Sequence, residues 1–492
     1  MMPPESRERR ACFIFDLHVG LPLRPAPLPR AGRGSAVASY LETDLGGPVS
    51  ELAARAILPA SDVLAAALDR GFSCALSVSG TTVDLLEAHA PDALAALARV
   101  AGHPRAEVLA APYHHGIAGL IPDRAEFVDE VVRHRERMRE VFGASPAVFT
   151  PPELCATGTM ADALPETGCT AILTEPRWCL PRDLDPALVY RAGSARVLLR
   201  HCALSDDLAA RFFSPGWDCS PLSPATYAGW VAGTPGECVT VGLDLDLLGD
   251  GGLLEFWEAL PEELAALGVE TATPSAVLAD RPADLLGPER EVSWSAPDGG
   301  ESWLETIFQH SAAEALARAG AWLPGREVWR HLSSTDHFRA MAMRAGGCGR
   351  REVTVDHGAT VEAFARFMRA LSALEARSAV RTRSRRAAMA LRALPPEAAF
   401  VFSRGGCGAG YAAHSLAECL EQLAFTDEQV VADHLARGDF SRWCEDVLGD
   451  RVLAVQVREC RNREELQQTM QGRADELVRR RSRSSAGSPS TR

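Results

Sequence analysis

Lysine is absent from the chain, and all 51 of its basic residues are arginines. Schiff-base catalysis, attachment of pyridoxal phosphate and the phosphate-binding P-loop all require a lysine side chain. The composition therefore excludes these three chemistries. Asparagine is almost as scarce, because it occurs once, at Asn462, outside any N-glycosylation sequon.

The 13 cysteines lack the patterns of a zinc knuckle or a disulfide framework. They are scattered along the chain, odd in number and contain no CxxC pair. Reduced thiols are the simplest interpretation, and we expect a cytoplasmic protein. The segment after the basic N-terminus carries Asp16 and His18 within its apolar run, which predicts a strand and no signal peptide.

Long hydrophobic runs and excess positive charge are also missing. No stretch approaches the roughly 20 apolar residues that a bilayer-spanning helix needs. The net charge is −14, which argues against nucleic acid or an anionic membrane as the main partner. With 492 residues, the chain is long enough for two or three domains.

What the chain does contain, from residue 11 to about 285, is a regular alternation of short apolar runs with amphipathic stretches. The apolar runs lack clean polar alternation, as is typical of strands buried on both faces. They are Cys12–Leu17, Cys74–Val78, Glu107–Ala111, Ala147–Thr150, Ala171–Thr174, Val197–Arg200 and Cys238–Leu243. A helix is predicted over Asp123–Phe142, where apolar residues fall at helical spacing. This alternation predicts a mostly parallel sheet, closed or open.

Polar residues end several of these predicted strands, where sites in such folds lie. They are His18 after the first strand, His114 and His115 after the third, Glu153 after the fourth, Glu175 after the fifth and Asp244 after the seventh. Two carboxyls, one ionised and one protonated, are what glycoside hydrolysis requires, and Glu153 and Asp244 are the candidates. Strand-end carboxylates also form structural ion pairs.

A divalent metal site is a second interpretation of the strand ends. Asp16 and His18 are two residues apart on one strand and would face the same side. Together with His114 or His115 they could form the site of a metal-dependent deacetylase. This interpretation leaves the context of Glu153 unexplained.

Ordered motifs between residues 11 and 345 resemble the α-amylase branch of glycoside hydrolase family 57. They are FDLHVG with His18, SVSGT at 77–81, AEVLAAPYHHG with Glu107 and His115, VFTPPELC with Glu153, LLRHCALSDDLAARFFSPGW, VGLDLDLLGD with Asp244, and STDHF at 334–338. The resemblance implies a retaining glycoside hydrolase or transglycosylase acting on α-glucans, with Glu153 as nucleophile and Asp244 as acid/base. It implies no metal and no organic cofactor, and leaves the oligomeric state open.

Further residues are predicted to contact the sugar, either because they match family motifs or because they are aromatic or polar groups near the predicted strand ends. They are His18, Glu107, His115, Trp178, Trp217, Asp336 and His337.

The chain also departs from the family pattern. Val19 and Gly20 replace the Gln-Pro that follows the first histidine, Ala111 replaces a glutamate, and the Leu245–Gly251 run lacks two aromatics and a histidine. These departures favour, as the alternative function, a glycan-binding or regulatory homologue.

The expected fold class is α/β, with an incomplete (β/α)7-type barrel over residues 11–285. A helical region over 286–390 is expected to complete the active-site face, followed by a small α+β domain over 393–475. Residues 1–10 and 476–492 are predicted to be disordered. In the small domain, the strand Ala399–Ser403 and the Gly-rich stretch Gly405–Gly410 predict a hairpin and not a phosphate loop.

Overall fold

A computed structural model of the chain describes residues 9–27, 36–121, 123–280, 285–294, 304, 306–342, 344–347, 350–354, 357–380, 382, 384–404 and 407–485. The chain divides into two compact units. The first comprises residues 1–21, 43–305 and 333–356, and the second comprises residues 22–42, 306–332 and 357–492.

The strands are β1 (Arg9–Leu17), β2 (Cys74–Val78), β3 (Ala106–Val108), β4 (Val148–Phe149), β5 (Ala171–Thr174), β6 (Cys179–Leu180), β7 (Val189–Ala192), β8 (Ala195–Leu199), β9 (Val239–Asp244), β10 (Val269–Thr271), β11 (Ser293–Trp294), β12 (Arg344–Gly347), β13 (Arg350–Thr354), β14 (Phe400–Arg404) and β15 (Cys407–Ala413).

The helices are α1 (Gly46–Leu52), α2 (Leu58–Asp69), α3 (Gly80–His89), α4 (Pro91–Ala101), α5 (Arg124–Phe142), α6 (Gly158–Thr167), α7 (Cys202–Ala209), α8 (Pro224–Gly233), α9 (Leu253–Ala266), α10 (Pro274–Ala279), α11 (Ile307–Gly320), α12 (Glu327–Leu332), α13 (Thr335–Arg339), α14 (His357–Ala379), α15 (Arg385–Ala390), α16 (Leu416–Phe425), α17 (Glu428–Arg437), α18 (Asp439–Asp446), α19 (Arg451–Arg458) and α20 (Arg463–Ser485).

The first unit is an incomplete barrel whose strands are mostly parallel. One sheet has β1 paired in parallel with β2, β9 and β10, and β3 paired with β2. A second sheet joins β4, β5 and β8 in parallel, with β7 antiparallel to β8. Isolated parallel bridges, Ala110–Phe149 and Arg200–Thr240, link the two sheets. No continuous ladder closes the ring within the described residues, so the predicted incomplete barrel is confirmed.

The barrel strands are buried on both faces, as their unbroken apolar composition predicts. All five residues of β2 are buried, and so are Ala11–Phe15 of β1. The predicted bounds of β2 and β5 agree with the structure, whereas β3 and β4 are shorter than predicted. The prediction missed β7 and β10, which have four and three residues.

His134 on α5 forms hydrogen bonds to the end of β2 and to the segment that follows β3. Its side chain is completely buried. Nδ1 accepts a hydrogen bond from the Ala111 amide at 3.2 Å, so Nε2 carries the proton and donates to the Val78 carbonyl at 2.8 Å. Burial lowers the pKa of His134 to about 4, because a charged imidazole would be desolvated there. The neutral ring therefore ties the ends of β2 and β3 together.

This burial predicts a pH-dependent stability. An unfolded histidine binds a proton below its ordinary pKa of about 6.5, whereas folded His134 stays neutral until about pH 4. The contribution of neutral His134 to the free energy of unfolding is fully present above pH 6.5. It is lost as the pH falls to about 4, which lowers the free energy of unfolding by roughly 3 kcal/mol. Urea denaturation between pH 4 and 8 should show that the free energy of unfolding falls less at acid pH for His134→Gln than for the wild type. The exposed-site control His310→Gln should keep the wild-type slope; equal slopes in all three proteins would contradict this assignment.

The second unit has its own apolar core, built by α15 to α20 and the hairpin β14–β15. In the same unit α14 packs against α11, α12 and α15. Glu375 of α14 is buried, and its carboxylate accepts hydrogen bonds from Trp322 Nε1 at 3.0 Å and from the Ala393 amide at 2.6 Å. Burial raises the pKa of Glu375 to about 6.

The division of the chain differs from the predicted one. Helices α11, α12, α14 and α15 belong with the C-terminal segment, whereas residues 333–356 belong with the barrel. The expected helical region therefore splits between two units. The antiparallel pairing of β14 with β15 confirms the predicted hairpin, and its residues 405–406 lie outside the described residues.

The prediction of disordered termini is wrong where the structure describes them. Arg9 and Arg10 belong to β1, where they pair with β10. Residues 476–485 belong to α20. Although this helix is rich in charge, it is anchored by the buried Leu466, Met470 and Leu477 and by the ion pair of Arg473 with Asp450, 2.7 Å long. Residues 1–8 and 486–492 lie outside the described residues.

Two further expectations concern membranes and thiols. Among the described residues, no helix combines the length and apolarity that crossing a bilayer requires. The 11 cysteines whose side chains the structure describes are free thiols.

Candidate active site

A pocket opens where the parallel strands of the barrel end. Its lining comes from β1, β2, β5 and β9 and from the residues that follow β3, β4 and β8. The lining residues are Ile14, Asp16, Ser77, Ala111, His115, Thr150, Pro151, Glu153, Leu154, Leu173, Arg200, Gly242, Leu243 and Asp244. The two predicted catalytic carboxyls and His115 thus face one space.

Glu153 lies in a turn with a left-handed backbone. Glu153 has φ 52° and Leu154 has φ 53°, and His115 across the pocket has φ 51°. In the described residues, these are the three non-glycine residues with positive φ. Each such residue costs roughly 1–3 kcal/mol, and strain of this kind concentrates at functional sites. Pro151 and Pro152 precede the turn and lead the chain into it with restricted φ.

An arginine holds the Glu153 side chain. Arg339 Nη1 donates to Glu153 Oε1 at 3.1 Å, and the glutamate side chain is only 7% exposed. Arg339 lies on α13, three residues after Asp336, so both project from one face of this short helix. An opposite charge at this distance favours an ionised carboxylate.

Asp336 meets the two stacked histidines of the site. His18 lies against His115 with ring centroids 4.0 Å apart. His18 Nε2 lies 3.1 Å from Asp336 Oδ2, and its Nδ1 lies 2.8 Å from Ser79 Oγ. His115 Nδ1 lies 2.8 Å from Thr335 Oγ1. A chain of polar contacts therefore runs from the end of β1 to α13.

The pKa of Asp336 follows from these neighbours. Desolvation by burial acts to raise it, but the charge and hydrogen bond of His18, followed by the charges of His115 and His337, lower it well below the usual range. Asp336 approaches closely because residue 20 is glycine: a Cβ there would lie 2.2 Å from Asp336 Oδ2.

Asp244 is the last residue of β9 and pairs in register with Asp16 of β1. Neighbouring strands lie about 4.8 Å apart, and in-register partners project to the same side. Both aspartates line the pocket.

Arg200 follows β8 and is one of the residues that line the pocket. Its strand lies between β4, which precedes Glu153, and β9, which ends at Asp244. The Arg200 side chain is 2% exposed and donates to Glu175 Oε1 at 2.9 Å and to Asp206 Oδ1 at 2.7 Å. Arg177 also contacts Glu175, at 2.5 Å. The buried carboxylate and guanidinium thus compensate each other, as charges removed from water must.

Comparison with known proteins decides the family. The family model of glycosyl hydrolase family 57 matches residues 35–291, more than half of the 492 residues. The chain belongs to glycosyl hydrolase family 57. A protein of Methanocaldococcus jannaschii described as "Putative alpha-amylase" is 28% identical over 302 residues, which cover 58% of this chain and 64% of that protein. The chain therefore spans less than two thirds of this relative.

Solved structures share the fold of this family 57 chain. The 4-alpha-glucanotransferase of Thermococcus litoralis superposes with a TM-score of 0.50 at 13% identity, over 74% of this chain and 60% of that chain. The branching enzyme of Thermococcus kodakaraensis gives 0.53 at 13% identity, over 76% and 91%. The branching enzyme of Pyrococcus horikoshii gives 0.53 at 11%, over 75% and 89%.

Of the seven residues predicted to contact the sugar, His115 lines the pocket of this family 57 barrel, whereas the other six, Glu107 among them, are not part of its lining. Glu107 pairs in register with Ala75, well before the end of β2, and its oxygens accept from the Ser275 amide at 2.8 Å and hydroxyl at 2.6 Å. Burial raises its pKa. The structure thus gives Glu107 a contact at the start of α10, and its contact with a sugar stays a prediction.

The two tryptophans lie apart from the pocket lining as well. Trp178 is buried under Arg177, whose guanidinium carbon is 5.5 Å from the ring centroid. Trp217 is half-buried beside Trp230, with ring centroids 6.1 Å apart. His337 is buried on α13, next to Asp336.

The metal interpretation lacks a ligand set in the residues that the structure describes. No group of three or more histidine, cysteine, aspartate or glutamate side chains is placed there to hold an ion. His114 is buried, and its Nδ1 lies 2.9 Å from Glu130 Oε1.

Sequence reasoning missed Arg200 and Arg339. Arg200 directly follows β8, so the strand-end rule that selected Glu175 also applies to it. Arg339 gave no such signal, because it lies one residue past the STDHF motif, and its partner Glu153 is 186 residues away.

The contacts of Arg200 with Glu175 and Asp206 predict that two substitutions will lower the free energy of unfolding by very different amounts. Arg200→Met leaves buried Glu175 with Arg177 alone and should lower the free energy of unfolding by about 3 kcal/mol, because one partner of a buried pair is removed. Asp206→Asn should cost less than about 1 kcal/mol, because the Asp206 side chain is 37% exposed. Urea denaturation measures both, and equal losses would contradict the assignment.

Proposed function

We propose that this family 57 chain is a retaining glycosidase or transglycosylase acting on α-glucans, with Glu153 as nucleophile and Asp244 as general acid/base. The observation that carries the proposal is that both carboxyls line one pocket at the strand ends. Glu153 has an arginine partner, whereas Asp244 has a second carboxyl beside it.

The surroundings of Glu153 match its role. Arg339 favours the ionised form of Glu153, which a nucleophile needs, and the acid role needs a proton on Asp244. In the first step the Glu153 carboxylate attacks the anomeric carbon while Asp244 protonates the departing glycosidic oxygen. In the second step Asp244 takes a proton from water or a sugar hydroxyl, which attacks the same carbon and releases Glu153.

The relatives support the substrate class. An alpha-amylase description, a 4-alpha-glucanotransferase and two branching enzymes are among the similar proteins. These names describe enzymes that act on α-glucans. The mechanism uses carboxyls alone and calls for no cofactor. Water as acceptor gives hydrolysis, and a sugar hydroxyl gives transfer.

Turnover of maltoheptaose by the purified protein tests the proposal. Glu153→Gln and Asp244→Asn should each lower kcat by at least about 1,000-fold, because each removes a group that takes part in bond cleavage. Asp246→Asn is the matched control, since Asp246 lies in the same loop but does not line the pocket, and it should stay within about threefold of wild type. Shorter products alone indicate hydrolysis; longer products as well indicate transfer.

A maltosyl fluoride separates the two roles. Fluoride departs without protonation, so Asp244→Asn should release fluoride in a first turnover far faster than Glu153→Gln does. Saturable glucan binding by the wild type without any turnover would favour the glycan-binding alternative. Full activity in either variant would contradict the assigned pair.

A further inference from the structure

Thr174 is a buried residue that contacts the backbone of the Glu153 turn. It is the last residue of β5 and is 0% exposed. Its hydroxyl donates to the Leu154 carbonyl at 2.6 Å. Its own backbone is fixed, because it pairs with Leu199 of β8 and its carbonyl accepts the Arg200 amide at 2.8 Å.

The turn that receives this bond needs support from outside. Inside it, the Leu154 amide bonds to Pro151 at 2.9 Å and the Cys155 amide bonds to Pro152 at 3.1 Å. These local bonds do not connect the turn to the sheet. The ladder of β4 ends at Phe149, before the turn begins. Left-handed conformations at non-glycine residues persist only where the surrounding structure holds them.

We propose that Thr174 is a positioning residue, whose hydroxyl holds the left-handed Glu153–Leu154 turn against the sheet and thereby places the Glu153 carboxylate in the pocket. Its catalytic consequence rests on the proposed function. The backbone carbonyl of Leu154 is fixed by Thr174 from the sheet, and the side chain of Glu153 is held by Arg339 from α13. If the first contact is removed, rotation about Glu153 and Leu154 moves the carboxylate away from the attack position.

Thr174→Val removes the hydroxyl and keeps the side-chain shape. With maltoheptaose, kcat should fall by about 10- to 100-fold, the scale expected for a catalytic group displaced by about 1 Å. KM should change by less than about threefold, because Thr174 is buried behind the turn and does not contact the sugar. Thr174→Ser restores the hydroxyl and should recover kcat to within about threefold.

Thr167→Val is the matched control. Thr167 is also a buried threonine, 1% exposed, and its hydroxyl donates to the Leu164 carbonyl at 2.6 Å. It is the last residue of α6 and does not line the pocket. A purely structural role for Thr174 predicts that both valine variants lose thermal stability while keeping kcat. Wild-type kcat in Thr174→Val would therefore overturn the proposal.

Crystal structures of wild type, Thr174→Val and Thr174→Ser provide a readout that is independent of activity. The Glu153 carboxylate should shift by about 1 Å or more in the valine variant and stay in place in the serine variant. An unmoved carboxylate in the valine variant would overturn the proposal even if the wild type is active. If the wild type shows no turnover, the proposed function fails, and these structures alone decide the role of Thr174. Thr174→Ala serves the same comparison if the valine variant does not fold.

Discussion

The parallel pairing of β1 with β9 is the constraint on which the site depends. It joins the first strand of the barrel to a strand more than 200 residues further along the chain, over six consecutive register pairs from Ala11–Val239 to Asp16–Asp244. By contrast, single bridges link the two sheets on either side. Because a one-residue slip would turn every side chain to the other face, this register fixes Asp244 beside Asp16 at the pocket.

A second constraint comes from α13, which lies far along the chain from the strands it serves. Asp336 contacts His18 after β1, and Arg339 contacts Glu153 after β4. One short helix thus supports both the histidine stack and the proposed nucleophile. Gly20 stands where the family pattern has a proline. Because glycine has no side chain, it leaves the space that Asp336 occupies.

Much of this arrangement could be predicted from the sequence, and the reasons for the remainder are physical. Buried parallel strands have unbroken apolar runs, so seven strands and the polar residues at their ends were found. Glu153, Asp244 and His115 follow from that rule together with ordered motifs. Motif matching did not predict the contact of Glu107 with Ser275, because the two residues are far apart in the sequence. The left-handed backbone at Glu153 and the Arg339 contact depend on long-range packing, which local patterns do not encode.

Trapping the covalent intermediate tests the central assignment most directly. A 5-fluoro α-maltosyl fluoride should glycosylate a retaining enzyme faster than the electron-poor glycosyl-enzyme is hydrolysed. Mass spectrometry of the proteolysed protein should then find one glycosyl group on the peptide that contains Glu153, and none in Glu153→Gln. A glycosyl group on Asp244, on Asp16 or on another residue would contradict the account.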